Sequence, residues 1–103
     1  MFTGEEDHSI DIGEASAMTA SFRSEYPNQP KGGYISQQAL REILNIQDVV
    51  GIRFYYGLDA NGMIHPVACG VTADGDDVLS VLAERTLLCP PICGKPNKLN
   101  SDM

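Results

Sequence analysis

VVGIRFYYGLDANGMIHPVACGV, from Val49 to Val71, alternates in character on both sides of Asp59-Ala60-Asn61-Gly62. That is the pattern of two β-strands folded into an antiparallel hairpin. Val50, Ile52, Phe54, Tyr56 and Leu58 alternate with Gly51, Arg53, Tyr55 and Gly57. In the return run Met63, His65, Val67, Cys69 and Val71 alternate with Ile64, Pro66, Ala68 and Gly70. A four-residue loop sets Phe54 opposite Val67 and Ile52 opposite Cys69, whereas a three-residue loop sets Phe54 opposite Ala68 and Ile52 opposite Gly70. A slip of one residue turns every side chain to the other face, so apolar matching favours the four-residue loop. One face is then rich in large apolar groups and turned to the helices. The other carries Arg53 and Tyr55 among small residues. Pro66, which has no N–H to donate, implies an unpaired side on the second strand. Two strands alone rarely persist in water, so a further strand or a partner chain is expected.

Outward from the hairpin, Asp11 with Glu14 has the form of a capping box, followed by Ile12, Ala15, Met18, Thr19 and Phe22 at helical spacing. The spacing predicts a helix over 12–25, ended by Pro27. PNQPKGG, Pro27 to Gly33, reads as a surface loop, and it lacks the spacing of a phosphate loop. Ser36 caps a second helix, Gln37 to Leu44, with Leu40, Ile43 and Leu44 as its buried stripe. Asn45 suits a left-handed exit. TADGDD, Thr72 to Asp77, is a turn. From Val78 onward a short helix is expected, with a third strand over 78–82 as the alternative.

One domain fits the 103 residues. The division expected is a flexible N-terminus over 1–10, a single body over 11–88 and a Cys/Pro-containing tail over 89–103. A net charge of −7, with no Lys/Arg cluster, repels phosphate backbones and points away from nucleic acid. No apolar run reaches membrane-spanning length. The opening MFTGEEDHSI is acidic where a signal peptide is basic, which makes cytoplasmic the expected address.

Three cysteines, Cys69, Cys89 and Cys93, are an odd number and argue against a disulfide framework. Cys89 and Cys93 enclose Pro90, Pro91 and Ile92, a spacing one residue longer than a thioredoxin-type pair. Two prolines in polyproline geometry advance about 3.1 Å per residue, so a bridge needs the chain to turn back. Plain thiols are the first expectation, and a disulfide or a redox pair the alternatives. Zinc needs three or four ligands, for which His65, Cys69, Cys89 and Cys93 are the candidates. His65 and Cys69 are about 13 Å apart along one strand, so only one of them can join the other two. Asp59 with Asn61, and Asp74 with Asp76 and Asp77, lack the spacing of a calcium loop and read as turn chemistry. His65, Glu42 and Asp48 could serve acid–base chemistry, but nothing in their spacing brings them together, and no serine has a nucleophile-elbow setting. No catalytic residue, metal or cofactor is assigned, and the pattern points away from an enzyme.

GIRFYYGLDANG, VACGVTADGDD and the terminal CPPIC together resemble a set of small uncharacterised bacterial proteins of the Bacteroidetes type. These share a helix, a KGG-like loop, a GIRxYxGxD-like hairpin and a C-P-P-x-C ending. The resemblance spans most of the chain from Ile12 onward and implies an intact domain with the cysteine tail as a feature. It implies no activity.

The fold expected is α+β, two or three helices packed on an antiparallel β-hairpin or small antiparallel sheet. The function expected is a binding or assembly module with a protein partner or self-association, acting through Arg53 and Tyr55, since Tyr and Arg are the usual anchors of interfaces. A thiol-redox or zinc protein using Cys89, Cys93 and His65 is the alternative.

Overall fold

The computed structural model describes residues 1–84 and 86–102, which form two compact units. One comprises Met1–Asp7 with Ile35–Thr86, the other His8–Tyr34 with Leu87 onward. The elements in chain order are α1 (Ile12–Glu25), β1 (Gly32–Tyr34), α2 (Gln37–Leu44), β2 (Val49–Leu58), β3 (Ile64–Thr72), β4 (Asp77–Ala83) and β5 (Leu87–Cys89). Two helices with antiparallel sheets of three and two strands make the chain α+β.

The first unit holds the sheet β2-β3-β4 and α2. Its hairpin closes in a way that overturns the expected register. The Asp59 N–H donates to the Met63 carbonyl (3.0 Å), and the Gly62 N–H donates to that of Asp59 (3.0 Å). Asp59 Oδ1 accepts from the backbone N–H groups of Asn61 (2.8 Å) and Met63 (2.9 Å). Gly62 is left-handed, at φ 77°. This is a three-residue loop ending in a left-handed glycine, a common hairpin closure. Phe54 accordingly lies opposite Ala68 and Ile52 opposite Gly70, not Val67 and Cys69. Satisfied turn amides outweigh the apolar matching that favoured the longer loop.

The large apolar face expected to pack on helices is therefore not the core. Phe54, Tyr56 and Leu58 are 51%, 88% and 71% exposed. Among the described residues the buried ones are Ile43 of α2 and Ala68, Cys69, Gly70 and Val71 of β3. Ile43 and Val49 reach β3 over Gly70: a Cβ there would stand 2.8 Å from Val49 Cγ2 and 3.3 Å from Ile43 Cγ2. Ser36 caps α2 as expected, accepting from the Ala39 N–H (3.1 Å). Asn45 leaves the helix in right-handed geometry at φ −83°, and the left-handed turn falls instead at Asp48, φ 69°.

The stretch expected as a helix after Val78 is a strand, β4, which pairs with β3 from Ala68↔Ala83 to Val71↔Asp77. Residue 85 of that stretch lies outside the described residues. Helix propensity is local, and the open side of β3 supplied a ladder that outweighed it. β3 is thus the central strand, and Pro66 is placed beyond the last β3–β4 pair, where its missing N–H interrupts no bond.

In the second unit, α1 has the expected bounds and cap, with Asp11 Oδ1 accepting from the Glu14 N–H (2.8 Å). None of its residues is buried, and Ile12 and Met18 of the expected stripe are exposed. The stretch read as a loop ends in β1, which pairs with β5 (Gly32↔Cys89, Tyr34↔Leu87). Arg23 donates to the Leu99 carbonyl (2.7 Å) and pairs with Asp102 (2.7 Å), and Lys31 Nζ donates to the Asn100 carbonyl (2.6 Å), tying the last segment down.

Candidate functional site

Arg53 and Tyr55 do stand on one face of β2, two residues apart, and the structure adds the group that unites them. Arg53 lies opposite Cys69, and Val71 lies opposite Asp77, so strand alternation carries all of these to the same side of the sheet. Arg53 Nη1 donates to Asp77 Oδ1 (2.5 Å) and to the Gly75 carbonyl (3.1 Å). The Tyr55 hydroxyl donates to Asp77 Oδ2. The N-terminal segment, expected to be flexible, reaches this face: the Phe2 N–H donates to the Ala73 carbonyl (2.8 Å), and the Phe2 ring centroid is 6.0 Å from the Arg53 guanidinium carbon.

The electrostatics follow from that arrangement. The Tyr55 hydroxyl, then Arg53, holds the Asp77 carboxyl below its ordinary range. The same hydrogen bond to Asp77 raises the Tyr55 phenol, and Asp77 raises Arg53. Burial, then Asp77, pushes the Cys69 thiol up, the opposite of what a nucleophilic cysteine needs. Asp77 is a clamp whose oxygens are occupied by donors. The pair expected as partner-binding anchors is thus held within the chain, and Tyr55 is 49% exposed.

His65, expected as a metal or redox candidate, lies opposite Gly57 with its ring between two carboxylates. Nε2 is 2.8 Å from Asp59 Oδ2. Nδ1 is 2.7 Å from Glu84 Oε1, though without the alignment of a hydrogen bond. Asp59 is held below its ordinary range by the Met63 N–H first and His65 second. Among the described residues no group of three His, Cys, Asp or Glu is placed to hold a metal ion. Asp59 and His65 were legible as neighbours only in the three-residue-loop register, which carries both to one face.

Cys89 and Cys93, in the second unit, form a disulfide with Cα atoms 4.8 Å apart. This corrects the expectation of plain thiols. The Cys89-Pro90 and Pro90-Pro91 bonds are cis, not the extended geometry assumed, and the Ile92 N–H donates back to the Leu88 carbonyl (2.9 Å). Cys69 is the free, buried thiol.

No helix of the described residues is long and apolar enough to cross a membrane. No family model matches this chain, and no curated protein or solved structure matches it either.

Proposed function

We propose that the chain is a small non-catalytic assembly module that self-associates through the β2 side of its three-stranded sheet. One observation carries the reading: Phe54, Tyr55, Tyr56 and Leu58 are exposed nearly in succession along β2. A solvated strand face normally alternates with polar residues, whereas a run of large apolar groups marks an interaction surface. The Arg53–Asp77–Tyr55 clamp supports it by holding Tyr55 in one geometry before contact, which lowers the ordering cost of binding. The net charge of −7 disfavours a nucleic-acid partner.

Sedimentation equilibrium over a concentration series tests this, comparing the wild type with the double variant Tyr56→Ser, Leu58→Ser. The wild type should approach a multiple of the 11.1 kDa chain mass, and the variant should stay near it. A wild type that stays monomeric throughout would overturn the reading.

The Cys89–Cys93 disulfide favours a second reading, a thiol-redox protein. In a reducing compartment such a bridge belongs mostly to catalytic or redox-sensing thiols. The likeness to bacterial proteins ending in C-P-P-x-C would make that pair part of a motif.

A further inference from the structure

β2 is an edge strand, with β3 as its one sheet neighbour among the described residues. Its outer backbone groups can be assigned. The Asp59–Met63 bond closes the β2–β3 ladder, and antiparallel bonding alternates residue by residue. Gly57, Tyr55 and Arg53 therefore direct their N–H and C=O groups at β3. Leu58, Tyr56, Phe54 and Ile52 direct theirs outward. The free edge ends near Val50, where the register shifts and Gly4 approaches the Val50 carbonyl.

Reflection about Phe54 sets complementary residues against one another along this edge. About Phe54, Arg53 mirrors Tyr55, Ile52 mirrors Tyr56, Gly51 mirrors Gly57 and Val50 mirrors Leu58. Such a strand complements a second copy of itself run antiparallel, as a two-fold contact requires. We infer that two copies of this chain pair edge to edge through β2, antiparallel, with the two-fold axis at Phe54, to make a continuous six-stranded sheet. Phe54 then faces its counterpart as a hydrogen-bonded pair, flanked by Ile52 against Tyr56. On the opposite face Arg53 lies against the aromatic ring of the other Tyr55, and Gly51 against Gly57. The outward groups are those of even-numbered residues, so the axis can shift only by whole residues. Moving it to Arg53 sets two guanidinium groups directly opposite each other, which is destabilising. Moving it toward Leu58 shortens the overlap. Edge strands are ordinarily guarded by charge or proline; β2 carries Arg53 alone, and no proline.

This pairing rests on the assembly reading and specifies its geometry, so the test separates the two. Hydrogen exchange on the wild type is the first measurement. The amides of Ile52, Phe54 and Tyr56 should exchange at least about tenfold more slowly at high protein concentration than at low, while those of Arg53, Tyr55 and Gly57 stay protected at both. The second uses Phe54→Lys and Phe54→Glu. Each alone should weaken the dimer at least about tenfold by placing like charges across the axis, and an equimolar mixture should recover it. A dimer whose even-numbered β2 amides exchange freely, or whose two charge variants do not recover on mixing, overturns the β2 pairing and leaves self-association standing. A chain monomeric at every concentration overturns both, leaving the edge to a strand of a different protein.

Discussion

Asp77 shows how one residue can hold a site together. Arg53 and Tyr55 were readable as a pair, because two residues apart on a strand is the same face. Their shared acceptor was not, because Asp77 sits in a run of turn-forming acidic residues whose local chemistry hides a strand start. The Tyr55–Asp77 hydrogen bond gives a measurable consequence. It holds the phenol neutral to higher pH than the ordinary value of 10.0. A folded-state value raised in this way contributes stability that is full below 10.0 and is lost as pH rises through the folded value. An ultraviolet titration of the four tyrosines should therefore show one ionising late, and Asp77→Ala, which removes the acceptor, should remove the delay. Four tyrosines titrating together in the wild type would exclude the bond.

At the scale of elements, both helices were legible from caps and spacing, because these are local signals. The strand register was not, since it depended on which closure Asp59 and Gly62 would adopt. Nor was β4, whose local sequence favours helix and whose identity comes from pairing with β3. The contact of α2 with β3 shows what register decides. Gly70 faces Ile43 and Val49, and Val49 is β-branched and stiff at χ1, so neither neighbour yields easily. Gly70→Ala should destabilise the fold by about 1–3 kcal/mol through overpacking. Gly51→Ala, whose added Cβ meets nothing within 4 Å, is the control and should be mild. Urea unfolding of the two variants checks this, and equal midpoints would show that α2 does not press on β3.

For the whole molecule, the disulfide and the sheet make separate claims. The unreduced chain should be two hydrogens lighter than the reduced one, with Cys69 as its single thiol, unreactive until unfolding. Cys89→Ser with Cys93→Ser should leave the sedimentation of the chain unchanged if assembly runs through β2. A change would move attention to the second unit. The two units are also interleaved along the chain: Met1–Asp7 belongs with Ile35–Thr86, and His8–Tyr34 with the residues from Leu87 onward. For a chain emerging from the ribosome this has a plain result. Phe2 has to wait for Ala73, and Gly32–Tyr34 for Leu87–Cys89, so the first-made segments of both units go unpartnered until much later sequence has been synthesised.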